Sequence, residues 1–119
     1  MARSKYRNVR TEYRGVPYDS KAEAARAFQL DLMLRAGEIA AWQRQITICL
    51  GVPENRYRVD FLVWDRDGRT WAEDVKGVET GAFRRNARLW KRYGPCPLRV
   101  IRKGGAIDII TPEHMRGTI

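Results

Sequence analysis

Tyr57-Arg58-Val59-Asp60-Phe61-Leu62-Val63-Trp64-Asp65-Arg66-Asp67-Gly68-Arg69-Thr70-Trp71-Ala72-Glu73-Asp74-Val75-Lys76 is the stretch on which the fold turns. Two runs rich in β-branched and aromatic residues, Tyr57 to Trp64 and Thr70 to Lys76, flank Asp65-Arg66-Asp67-Gly68, which is a hairpin signature. Residues two apart on a strand share a face, so Asp74 and Lys76 point one way while Glu73 and Val75 point the other. Asp60 joins Asp74 only in one register. A two-residue Asp67-Gly68 turn sets Asp60 opposite Val75, and in that register Glu73 replaces Asp74 as its acidic companion. A three-residue loop, Arg66-Asp67-Gly68 with Gly68 left-handed in a bulge, pairs Asp65 with Arg69 and sets Asp60 across from Asp74. Side-chain chemistry favours the second, because it gathers Val59, Phe61, Val63, Trp71 and Val75 on one apolar face with only Glu73 out of place. Asp65 and Asp67 are then turn residues.

Working outward, Gln45 to Leu50 alternates as a strand, with Ile46, Ile48 and Leu50 on one side, and Gly51 to Asn55 breaks it. Ser20 opens a helix that runs to about Ala36 and stops at Gly37. Ser20-Lys21-Ala22-Glu23 fits a capping box, and Glu23, Ala27, Leu30 and Leu34 fall on one core-facing stripe. Thr80 caps a second helix over about Gly81 to Tyr93, with Phe83, Ala87 and Trp90 inward. Leu98 to Arg102 and Ala106 to Ile110 close the chain as short strands. Residues Met1 to Arg14 read as a basic arm ordered by a partner, although Thr11 to Tyr18 can form a small hairpin around Arg14-Gly15. The order helix, three strands, helix, two strands predicts an α/β domain over residues 15–119, with helices flanking a mixed central sheet.

Composition restricts the chemistry. The chain has 119 residues, one domain's worth, and its 44% hydrophobic content with four Trp, five Tyr and three Phe is that of a globular core. Two distant cysteines and a single histidine exclude a Cys/His zinc site and a histidine-dependent triad. Any metal must be held by oxygen, which favours Mg²⁺, with Mn²⁺ able to substitute. The absence of a long apolar run and of an apolar leader points away from membranes and to the cytoplasm, of a bacterium or a phage-infected host. A net charge of +9 points to a polyanionic partner. DNA is the expected one, contacted by Arg84, Arg85, Arg88 and Lys91 on the second helix and by Arg7 and Arg10 in the arm. The bland reading of the helical cluster, which also includes Arg92, is a solvated face.

Two carboxylates and an ammonium gathered at one end of a hairpin are costly to bury without a partner, and a divalent cation relieves the repulsion between the carboxylates. Asp60 and Asp74 holding Mg²⁺ suit phosphodiester hydrolysis, with Lys76 positioning water or stabilising charge on the phosphate. Glu23 can supply a third carboxylate or serve only as the helix cap. The bland alternative for Asp74 and Lys76 is a solvated salt bridge on an exposed face.

The ordered set Glu23, Asp60 and Asp74-Val75-Lys76 resembles the PD-(D/E)XK nuclease superfamily, with Val59 standing where its name expects Pro. Wider stretches, among them Gly15 to Ala24, Gly37-Glu38-Ile39, Tyr57 to Phe61 and Glu73 to Gly77, resemble a family of small phage and prophage proteins known as a domain of unknown function. The resemblance implies a restriction-endonuclease-like core, with Glu23, Asp60 and Asp74 as metal ligands and Lys76 as catalytic lysine; Gln45 can line the site. It further implies a Mg²⁺-dependent endodeoxyribonuclease, by analogy a branched-DNA or Holliday-junction resolving enzyme, for which a homodimer with two sites suits paired cuts. The rival expectations are a catalytically silent DNA-binding protein on the nuclease fold and, more remotely, an RNA-binding basic protein.

Overall fold

The computed structural model describes residues 9–116. Two short strands, β1 (Thr11–Tyr13) and β2 (Val16–Tyr18), precede α1 (Lys21–Arg35). Then come β3 (Ile39–Cys49), β4 (Arg56–Asp65), β5 (Thr70–Lys76), α2 (Gly81–Tyr93), β6 (Leu98–Arg102), β7 (Ile107–Ile110) and a 3₁₀ turn over Glu113–Met115. Strands β3 to β7 form one five-stranded sheet in chain order. It is antiparallel except where β6 runs parallel to β5, the pairing that the α2 crossover permits. The expected mixed α/β architecture is therefore present, and so is the small hairpin expected over Thr11 to Tyr18.

That hairpin turns through Arg14 and Gly15, both with positive φ, as a two-residue loop requires. Thr11–Tyr13 of the basic stretch is thus a strand, while Arg7 lies outside the described residues. Ser20 Oγ accepts the Glu23 N–H at 3.1 Å to cap α1, and Gly37 takes the left-handed turn after it. The buried positions of α1 are Ala24, Ala27 and Leu30. Leu34, expected on this stripe, is exposed, and Met33 packs instead. The difference arises because the contact line follows Ala27, Leu30 and Met33 rather than Ala27, Leu30 and Leu34.

The central hairpin has the bulged register. Leu62 stands opposite Ala72, Val63 opposite Trp71 and Trp64 opposite Thr70. The Asp65 N–H donates to the Arg69 carbonyl at 2.9 Å, and Gly68 has φ +85°. Asp65 Oδ1 stitches the loop by accepting from the N–H groups of Asp67 and Arg69, which gives this acid its turn role.

Each face of the sheet carries its own core. Phe61, Val63 and Trp71 pack with α1 residues Ala24, Ala27 and Leu30, whereas Ala72, Leu98 and Val100 pack with Phe83 and Trp90 of α2. Trp90 lies on Gly94, where an added Cβ would come within 2.5 Å of the indole, so a residue without a side chain is required there. Val59 does not share the face of Phe61 and Val63, as strict alternation predicts. It packs with Tyr57 in the α2 core. Strand β3 switches in the same place: Trp42 and Arg44 contact the α1 core, while Ile46 and Ile48 contact the α2 core. Gln45, with φ +53°, lies at the switch in β3, and Asp60 occupies the corresponding place in β4. A left-handed residue in a strand rotates the following side chains to the other face.

Candidate metal and phosphate site

The switch at Asp60 creates the site. The β4–β5 ladder ends at Phe61 and Glu73, and beyond it the Val75 N–H donates to Asp60 Oδ2 at 2.7 Å in place of a backbone carbonyl. The Asp60 side chain is thereby held in the fork between two parting strands. The helix α1 that carries Glu23 covers the face of the sheet opposite Asp74, and α2 covers the face of Asp74 and Lys76. Glu23 still meets Asp60, because it stands in the first turn of α1 beside the fork. The two side chains line the same cleft, and the Glu23 carboxyl feels the charges of Asp19 and Asp74.

The two adjacent acids of β5 have separate roles. Glu73 is fully buried and clamped: Arg26 of α1 donates to both its oxygens at 2.7 Å, and the Trp71 indole N–H donates at 2.8 Å. It is a structural ion pair joining α1 to the sheet, which removes it as the alternative site acid. Asp74, 2% exposed, faces the other way, and its Oδ2 accepts from the Tyr57 hydroxyl and lies 3.0 Å from Lys76 Nζ. The Asp74–Lys76 pair does form, but it is largely buried rather than solvated. Lys76 is three-quarters covered and sits over the Phe83 ring, 4.9 Å from its centroid.

Electrostatics single out Asp60. Burial raises its carboxyl far above the usual carboxylate range, reinforced by hydrogen bonding to Asp74 and by the charges of Asp74 and Glu23, while the Val75 N–H opposes the rise. Glu23 is raised as well, first by burial and then by Asp19. Burial and the facing Asp74 likewise hold the Tyr57 hydroxyl protonated. Asp60 thus feels Glu23 of α1 and Asp74 of β5, and the Lys76 ammonium stands beside Asp74.

The cleft over this group has a volume of about 690 Å³. Glu23, Asp60 and Lys76 line it, and Lys21, Arg102 and Lys103 bring positive charge to its walls. Asp74 lies beneath the cleft rather than on its wall. Gln45, expected as a lining residue, is not among the lining residues either; its contribution is the strand switch opposite Asp60.

In its chemistry the donor set fits a hard divalent cation: all-oxygen carboxylates, crowded enough that one carries a proton that a cation would displace. The donors are not preassembled. Among the described residues no three acidic, His or Cys side chains already surround one point. Loading an ion therefore requires these carboxylates to reorient towards one point.

Sequence reading missed Tyr57, Asp19, Lys21, Arg102 and Lys103. Tyr57 and Lys21 lie within stretches that carried the family resemblance, yet their contacts depend on the strand switch and on the helix entry. Arg84, Arg85, Arg88 and Lys91 are exposed on α2, whose N-terminus adjoins the cleft at Thr80. Arg85 donates to the Asn55 side chain at 2.8 Å, and Arg10 is exposed just before β1. Among the described residues no helix is long and apolar enough to cross a membrane.

Residues 3–103 match the family model described as "Protein of unknown function (DUF1064)". No curated protein and no solved structure matches the chain.

Proposed function

The chain belongs to the DUF1064 family, and for this member we propose a divalent-metal-dependent endodeoxyribonuclease of the PD-(D/E)XK kind, with Mg²⁺ the preferred ion. The observation that carries the reading is the buried Asp60 of β4, flanked by Glu23 of α1 and by Asp74 of β5, beside Lys76 and under a cleft with basic walls.

Glu23, Asp60 and Asp74 would hold the ion. When bound, it supplies Lewis-acid polarisation of a phosphate oxygen and lowers the pKa of water. The chain's own residues do the rest. Lys21 and Lys103 would bind the phosphodiester at the walls, where a polyanion gains most from a basic surface. Lys76, paired with Asp74 at 3.0 Å, would donate a hydrogen bond to the attacking water or to the phosphate oxygen on which charge grows. The position of Lys76 over Phe83, three-quarters covered, limits its rotamers and holds the ammonium on the wall of the cleft. A single small domain offers limited surface to a duplex, so a homodimer with two sites suits paired cuts, and a branched or junction substrate is the favoured class.

The test uses supercoiled plasmid, single-stranded DNA and a four-way junction, each with Mg²⁺ or with EDTA. The wild type should cut in Mg²⁺ only. Asp74→Ala and Lys76→Ala should each lose cleavage by on the order of a hundredfold or more while still binding DNA in a gel-shift assay. Binding without cleavage by the wild type would favour a silent DNA-binding protein.

A further inference from the structure

A second depression lies between α2 and the β6–β7 edge, separate from the carboxylate cleft, with a volume of about 280 Å³. Its floor is apolar: Phe83 and Ala87 from α2 face Val100 and Ile110 from the sheet. Its rim is cationic. Arg84, Arg88 and Lys91 recur along one edge of α2 at helical spacing, so their charges stand in a row. Neither Arg88 nor Lys91 has an ion-pair or hydrogen-bond partner among the described residues. The two carboxylates on the rim, Glu79 and Asp108, are both engaged by Arg102 at 2.7 Å. Arg102 offsets one of these two negative charges, so with Arg84, Arg88 and Lys91 the rim keeps a surplus of two positive charges.

The groove and the cleft adjoin. Arg102 lines both, and Phe83 lies under Lys76 on one side while flooring the groove on the other. A strand whose phosphate occupied the cleft would pass directly over this ridge.

From these features we infer that the α2–β7 groove receives an unpaired DNA strand next to the cut site, its phosphates along Arg84, Arg88 and Lys91 and a base against the apolar floor. Duplex DNA turns its phosphates outward and keeps its bases stacked inside, so it can use the rim but not the floor. A segment with exposed bases uses both. The inference rests on the nuclease reading of the cleft and specifies its substrate as DNA with a single-stranded arm, such as a flap, fork or opened junction.

The experiment measures binding in EDTA, so that it is independent of cleavage. Fluorescence anisotropy of the full chain compares labelled oligo-dT with an abasic oligonucleotide of equal length and charge. Oligo-dT should bind roughly tenfold more tightly, a preference only bases can supply. Arg88→Ala with Lys91→Ala should lower the slope of log K against log salt for oligo-dT by about 1.4, the loss of two single-strand phosphate contacts. Ala87→Gln, checked for folding by circular dichroism, should erase the preference for bases while keeping the salt slope. In a second measurement, 4-thiothymidine in the oligonucleotide should photo-crosslink to the peptide containing residues 83–91.

Equal binding of the two oligonucleotides, a crosslink confined to other peptides, or equal competition by poly-glutamate would each overturn the inference. Poly-glutamate competition would make the groove a general anion surface. Loss of base preference with intact Mg²⁺-dependent cleavage would sink only this inference; base preference without any cleavage would sink only the nuclease reading.

Discussion

Glu73 and Asp74 are neighbours in the chain, both buried, and their partners decide what each can do. Glu73 is matched by a bidentate guanidinium and an indole N–H, so its charge is fully compensated. Asp74 faces two other carboxyls as well as its lysine and tyrosine, and the mismatch falls on Asp60, whose folded carboxyl is pushed up to about 10 from an ordinary 3.8, chiefly by burial. The folded state then holds more protons than the unfolded state between those two values. By linkage, the metal-free protein loses stability as pH rises through that window. Thermal unfolding in EDTA from pH 5 to 9 should show Tm falling, and a rising Tm would contradict the geometry. Asp60→Asn, which keeps a neutral group in the fork, should flatten the slope and raise Tm at pH 8 while abolishing Mg²⁺-dependent cleavage.

The hairpin and the α1 clamp are where single changes should act on whole elements. The Arg66-Asp67-Gly68 loop needs Gly68 at φ +85°, and space around it is open, so Gly68→Ala is penalised by backbone strain alone. It should cost about 1 kcal/mol in urea denaturation. Arg26→Ala leaves the Glu73 charge buried with only the Trp71 indole to meet it and should destabilise by about 3–5 kcal/mol. Replacing both Arg26 and Glu73 by Met should recover most of that loss, since no uncompensated charge remains. If Arg26→Ala proved neutral in urea, the clamp would not be what fixes α1 to the sheet.

On the scale of the whole molecule, a +9 chain carries a pocket of crowded acids within a basic surface. That contrast suits a phosphodiester and a cation bound together, with the acids neutralised by the ion and the walls by the phosphate. Mg²⁺ at a hundred times its Kd should stabilise the protein by about 2.7 kcal/mol, read as a concentration-dependent rise in Tm. The rise should vanish in Asp60→Asn. It should also weaken the pH dependence of the wild type, because the ion displaces the proton from the fork.

Local chemistry made much of this protein legible in its sequence. The Ser20 and Thr80 caps, the Gly37 stop, the Asp65–Gly68 bulge and the register that brings Asp60 towards Asp74 all depend on residues close together in the chain. The separate burial of Glu73 and Asp74 follows from the same period of two. What only the tertiary structure decided is where that period breaks. Gln45 and Asp60 turn β3 and β4 over together, which moves Val59 and Tyr57 to the α2 core and opens the fork that holds Asp60. Nothing in a local pattern announces a switch that two strands must make in concert. The same fork lets Glu23 reach Asp60 from the far face, and it leaves Asp74 beneath the cleft under Tyr57 and Lys76. The sequence supplied the four charged residues; the parting of β4 from β5 determined how they face one another.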